Sequence, residues 1–191
     1  MTDDLGIVHC PSPNHSSRHG YDVTGTIIHY TGAGSAKGSV SWMRNPTSKV
    51  SSHYEISRQG GIYKLVELDR AAWHAGDLHL NKTTIGIELA NHGYLVKDGK
   101  RFYYDLGKRR FRYRGPPPVH AVLRYESGLE FEGWWEPYPE AQLCALGCLI
   151  AYLRSTPYRR ALERIYGHSE LAEPPGRKKD PGPLFPWNLF R

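Results

Sequence analysis

The sequence predicts an α/β fold, a layered domain in which strands and helices alternate along the chain. Two β-branched apolar runs bounded by turn residues, Thr26–Tyr30 and Thr84–Leu89, read as buried strands. The run from Pro139 to about Ser155 has helical spacing, with Leu143, Leu146, Leu149 and Ile150 on one stripe. A chain of 191 residues, 39% apolar and 23% charged, is long enough for one domain with its own core. That balance excludes a disordered chain, and the longest apolar runs fall far short of a membrane span.

The elements follow in order. Residues 11–20, PSPNHSSRHG, are a turn-rich lead-in. TIIHY, Thr26–Tyr30, is followed by the loop Thr31–Ser35 and by a helix from about Ala36 to Arg44, stopped at Asn45-Pro46. His53–Ser57 and Ile62–Val66 flank Arg58-Gln59-Gly60-Gly61, a hairpin signal. In TIGIEL, Ile85, Ile87 and Leu89 share one face, so Gly86 and Glu88 share the other. Residues 96–118 read as a basic hairpin or loop ending in three prolines. Pro139 and Glu140 open the long helix, a shorter helix is expected at 158–165, and Pro174–Pro186 is a surface loop.

The formal net charge is +6, which invites a polyanion partner. The excess sits in one place. Residues 97–114 hold eight basic side chains, among them Arg109, Arg110 and Arg112, against Asp98 and Asp105. Phe102, Tyr103, Tyr104, Phe111 and Tyr113 interleave with these charges, but no RNA-binding signature or helix-turn-helix accompanies them, so nucleic acid stands only as an alternative partner. Three cysteines make no disulfide framework, and Cys144 and Cys148 are expected to be small buried hydrophobes. The start, MTDDLGIVHC, carries Asp3 and Asp4 and no apolar h-region, which leans toward a cytoplasmic protein rather than a secreted one.

Ten histidines raise the question of a metal. His29 ends a buried strand just before a Gly-rich loop, where ligand sites of α/β sheets form. His168 follows a helical run and Asp180 lies in RKKDPGP. Two imidazoles and a carboxylate leave one position of a tetrahedral zinc site open, as catalytic zinc requires. Spacing alone leaves the alternative open that these are satisfied core side chains.

The ordered strings IIHYT (27–31), SHY (52–54), AWHAG (72–76), IGIE (85–88), GHS (167–169) and RKKDPGP (177–183) together resemble the type-2 N-acetylmuramoyl-L-alanine amidases. That family includes AmpD-like peptidoglycan amidases, phage lysozyme-amidases and peptidoglycan recognition proteins. The tail RKKDPGPLFPW looks like the AmpD and AmiD branch. The resemblance implies a central mixed sheet flanked by helices, with a zinc cleft at one edge of the sheet. It implies one domain over 1–191, with a core at about 24–190 and a basic insertion at about 96–137. It implies one Zn²⁺ per chain, held by His29, His168 and Asp180, and hydrolysis of the amide between the lactyl group of muramic acid and L-alanine. Glu88 matches the general base, and Lys178 the cation that stabilises the oxyanion.

Further expectations attach to the same cleft. His53, Trp73, His74 and Asn91 are candidate substrate-binding residues. Ser52 stands where phage and recognition-protein members often carry a catalytic Tyr, which shifts weight onto Glu88. Glu173-Pro174-Pro175 lengthens the segment before Lys178. The expected partner is peptidoglycan or a muropeptide, bound by a monomer, with the basic insertion docking anionic wall material. The alternatives are a non-catalytic peptidoglycan-binding protein on the same fold, a basic nucleic-acid module, and, for location, a wall-directed lytic enzyme or phage endolysin.

Overall fold

The structure is a computed structural model that describes residues 5–191. Asp3 and Asp4 of the amino-terminal segment lie outside the described residues. The strands are β1 (Val8–His9), β2 (His15–Ser17), β3 (Gly25–Tyr30), β4 (Tyr54–Ile56), β5 (Ile62–Lys64), β6 (Arg70–Ala72), β7 (Thr84–Leu89), β8 (Tyr94–Asp98), β9 (Arg101–Leu106), β10 (Arg109–Arg112), β11 (Val119–Arg124), β12 (Glu130–Trp135) and β13 (Ile165–Gly167). The helices are α1 (Ala36–Arg44), α2 (Leu78–Thr83), α3 (Glu140–Arg154) and α4 (His168–Leu171).

Six strands form the central sheet in the order β1-β5-β4-β7-β3-β13. Only the β4–β5 hairpin is antiparallel, so the sheet is mixed. β7 lies between two parallel partners and is nearly all buried, which is why TIGIEL is so rich in isoleucine and leucine. Its alternation divides the labour. Ile85, Ile87 and Leu89 join Ile28, Tyr54 and Ile56 in the main core under α3, which contributes Leu146, Leu149, Ile150 and Leu153. The opposite face carries a row across three strands in register, His29 on β3, Glu88 on β7 and Glu55 on β4. One face of the sheet therefore packs the main core and the other carries a row of ionisable side chains.

α1 begins where the Ser35 side chain accepts from the Gly38 amide and ends at Asn45 before Pro46. Its Val40 and Met43 pack on Leu65, Val66 and Ala72, a second cluster beside the main core.

Four expectations need correction. The segment at 96–118 is neither a lone hairpin nor a loop. β8–β12 form a five-stranded antiparallel sheet whose Leu123, Tyr125 and Trp135 make a third cluster with Tyr30 and Leu184. The short helix expected at 158–165 is a single 3₁₀ turn at Arg159–Leu162, after which Ile165–Gly167 adds to the sheet edge beside β3. Cys144 and Cys148 are exposed on the outer side of α3, because the stripe through Leu146 and Leu149 faces the sheet. The tail at 174–186 does not lie wholly on the surface, since Asp180, Pro181, Gly182 and Phe185 are buried. Among the described residues no helix is long and apolar enough to cross a membrane.

Candidate functional site

The fold brings together residues from opposite ends of the chain. His29 lies near the carboxyl end of β3, His168 opens α4 directly after β13, and Asp180 sits in the tail. β13 pairs with β3, so the two histidines arrive on neighbouring strands. The tail is pinned in place by three bonds. The Ser169 amide donates to the Asp180 carbonyl at 2.9 Å. The Tyr138 hydroxyl donates to the Pro181 carbonyl at 2.7 Å, and that of Tyr125 to the Lys178 carbonyl at 2.8 Å. Gly182 lies against the Trp135 ring, where a Cβ would stand 3.0 Å from it.

His29 Nδ1, His168 Nδ1 and Asp180 Oδ2 form a triangle with sides of 2.9–3.0 Å. All three residues are buried, and this is the group of side chains able to hold a metal ion found among the described residues. Burial, against the opposing pull of the Asp180 carboxylate, drives the His29 imidazole down to about 4, so it is neutral near pH 7. Burial pushes the Asp180 carboxyl up, but the His168 and His29 imidazoles beside it outweigh burial and hold the group ionised. Two imidazole nitrogens and a carboxylate oxygen packed this closely need a cation or a proton among them. Donors on a tetrahedral zinc at about 2.1 Å would stand about 3.4 Å apart, close to the observed spacing. The outer nitrogens are also engaged, with His168 Nε2 3.0 Å from the Ala75 carbonyl and His29 Nε2 3.0 Å from His74 Nδ1. The donor set fits a divalent metal such as zinc.

Glu88 projects from β7 beside His29 and lines the same cleft, a cavity of about 500 Å³. Its Oε2 is buried without a hydrogen-bond partner. Burial first, then the negative charges of Asp180 and Glu55, raise its pKa well above the ordinary value, and Lys178 partly offsets them. Lys178 also lines the cleft, together with Trp42, Trp73, His74 and Tyr94. A larger groove of about 860 Å³ runs beside β13, lined by residues such as Arg154, Arg164 and Phe190. Size does not locate the chemistry, because the converging donors belong to the smaller cleft.

Two expected substrate-binding residues do not face the cleft. His53 has no exposed surface; its Nδ1 accepts from the Gly86 amide at 2.9 Å, and Nε2 lies 2.8 Å from the buried Arg18 guanidinium. Asn91 is likewise fully buried, and its side chain bonds to the Gly93 amide and the Glu136 carbonyl. Both polar groups are used up inside the fold. Ser52 is buried, and its hydroxyl donates to the Tyr54 carbonyl at 2.9 Å.

Other residues at the site were missed. His92 lines the cleft, with Nδ1 held 2.9 Å from the buried carboxylate of Glu136, which also pairs with Arg58 at 2.7 Å. No sequence motif marks His92. Glu55 could have been found, because in HYEIS it alternates with the core residues Tyr54 and Ile56 just as Glu88 does in TIGIEL.

The arrangement is that of an amidase-like α/β fold. The structure aligns over 100% of this chain and 97% of a selenomethionine derivative of AmpD, with a TM-score of 0.60 and 22% identity, a likeness of fold. The chain belongs to the N-acetylmuramoyl-L-alanine amidase family Amidase_2, which it matches over residues 19–183. It is 30% identical to the N-acetylmuramoyl-L-alanine amidase AmiD of Escherichia coli K12 over 174 residues, 84% of this chain and 49% of that protein. The chain thus spans about half the length of the curated relatives it matches. AmpDh3 of Pseudomonas aeruginosa, solved in complex with an anhydromuramic pentapeptide, is 25% identical with a TM-score of 0.57, covering 94% of this chain and 61% of that one.

Proposed function

We propose that this chain is a zinc-dependent N-acetylmuramoyl-L-alanine amidase that hydrolyses the amide between the lactyl group of muramic acid and the L-alanine of the stem peptide. The observation that carries the proposal is the convergence of His29, His168 and Asp180 beside the unpartnered carboxylate oxygen of Glu88 in one cleft. Family membership and the anhydromuramic pentapeptide bound to AmpDh3 support the choice of substrate.

When bound by His29, His168 and Asp180, a zinc ion supplies Lewis acidity toward the scissile carbonyl and the attacking water. The residues of the chain do the rest. Glu88 accepts a proton from the water as its oxygen bonds to the carbonyl carbon. Glu88 holds that proton until it passes to the alanine nitrogen as the C–N bond breaks. Lys178 offers positive charge to the oxygen that becomes negative in the tetrahedral intermediate. Trp73 supplies an aromatic wall for sugar or peptide.

In this proposal residues 1–191 form one amidase domain, with a core at about 24–190 and an insertion at about 96–137, acting as a monomer with one zinc. A chromatographic assay of stem-peptide release from muropeptides, with metal analysis alongside, tests it. Release should stop with chelator and return with zinc. His29→Ala should lose both zinc and activity. Glu88→Gln should keep about one zinc per chain and lose about 10²–10⁴-fold in turnover. Full activity of metal-free protein would overturn the zinc assignment, and normal turnover of Glu88→Gln would overturn the base. Preference for soluble anhydro-muropeptides over intact sacculi would fit cytoplasmic work, and the reverse a wall-directed enzyme.

A further inference from the structure

The expectation that His74 binds substrate has a rival in the geometry. Its Nδ1 lies 3.0 Å from His29 Nε2, and its Nε2 lies 3.3 Å from Thr84 Oγ1. The Thr84 hydroxyl in turn donates to the Leu80 carbonyl at 2.6 Å. That last bond fixes the direction of the others. With its hydrogen spent on Leu80, Thr84 Oγ1 can only accept, so His74 Nε2–H donates to it. His74 Nδ1 then carries a lone pair and accepts from His29 Nε2–H. His29 Nδ1 is left with its lone pair aimed at His168 and Asp180. One backbone carbonyl thus sets the tautomer of two imidazoles in series.

Two further features serve the same chain. Gly86 lies on the β7 face that carries Glu88, and a Cβ there would stand 2.4 Å from His74 Cγ. Its bare backbone is the seat of the His74 ring. The Asn81 side-chain oxygen accepts from the His74 amide at 3.0 Å and the Ala75 amide at 2.9 Å. The Ala75 carbonyl is the group that His168 Nε2 faces at 3.0 Å. Residues 74 and 75, clamped by Asn81, therefore hold the outer nitrogens of both histidines in the metal-binding group.

We propose that His74 is a positioning residue, which through the Thr84–His74–His29 chain sets the tautomer and orientation of His29, with Gly86 making room for it. The proposal rests on the zinc reading of His29, His168 and Asp180. Zinc affinity, measured by competition with a chromophoric chelator, tests it apart from turnover. The wild-type chain is measured first, and failure to bind zinc would sink the zinc reading itself. His74→Ala should weaken zinc binding about 10–100-fold. His74→Asn, whose side-chain oxygen can stand near the lost Nδ1, should recover part of that. Thr84→Val keeps the shape and removes the acceptor, so it should weaken zinc several-fold even if His74→Ala fails to fold, while Thr84→Ser should bind like wild type. Gly86→Ala, which touches no metal donor, should also weaken it. Folded His74→Ala and Thr84→Val with wild-type zinc affinity would overturn the proposal. So would a raised KM at unchanged zinc affinity, which would make His74 a substrate contact.

Discussion

Glu55→Gln should remove a pH-dependent weakness from the fold. Glu55 is fully buried in the row with His29 and Glu88, and the Ser39 hydroxyl donates to its Oε1 while Oε2 has no partner. Burial raises its carboxyl from 4.5 to about 8, and the Ser39 bond offsets only part of this. Below pH 4.5 the group is neutral folded and unfolded, and it takes nothing from stability. From pH 4.5 upward the unfolded chain sheds the proton while the folded chain keeps it, so stability falls as pH rises until about pH 8. At about 1.4 kcal/mol per pH unit, the loss from pH 5 to pH 8 is up to about 4 kcal/mol. A glutamine is neutral throughout and lacks that slope. Urea unfolding of zinc-loaded wild type and Glu55→Gln at pH 5, 6, 7 and 8 measures the difference directly. Terms from the metal donors are shared and drop out, and the coupling of Glu55 to Glu88 enters only where Glu55 is ionised. The variant should gain on wild type with each step in pH. Parallel stability curves would refute the reasoning, because they would mean that Glu55 is ionised in the fold.

Two more outcomes are expected. Leu149→Ala, in the fully buried layer between α3 and the sheet, should cost about 2–5 kcal/mol in urea unfolding, with zinc content intact in the fraction that stays folded. Arg109 and Arg112 are exposed on the second sheet, whereas Arg110 is tied to Asp105 at 2.7 Å, so the double change of Arg109 and Arg112 to Gln is the cleaner test of wall docking. It should slow hydrolysis of sacculi more than of soluble fragments, with the gap closing as salt rises, and equal slowing on both would count against docking.

The parts of this fold that were legible in the sequence are those set by local periodicity. α1, α3, the β4–β5 hairpin and the alternation of β7 all follow from spacing and turn residues over short stretches. β1, β2 and β13 are two or three residues long and owe their state to the strands beside them, a dependence that no local window contains. The tail was misjudged for a related reason. Its prolines and glycines do mark a loop, but Tyr125, Tyr138 and Ser169 draw Asp180 inward, and two of those three lie far off in sequence. At the site, ordered motifs named His29, His168, Asp180, Glu88 and Lys178, and the fold sets all five around one cleft. The same motifs could not tell a side chain that faces the cleft from one beneath it. His53 is taken by Arg18 and the Gly86 amide, and Asn91 by the turn at Gly93 and Glu136.

The origin of the three converging donors has a consequence for synthesis. His29 is separated by 139 residues from His168 and by 151 from Asp180. On the ribosome, β3 and β7 can pair and most of the core can form while the three-donor pocket does not yet exist. It is completed only when residue 180 has cleared the exit tunnel and the tail has docked under Tyr138. A chain cut short before that point lacks the carboxylate of the three-donor group. The three-donor pocket thus exists only once the segment around Asp180 has been made and has docked beneath Tyr138.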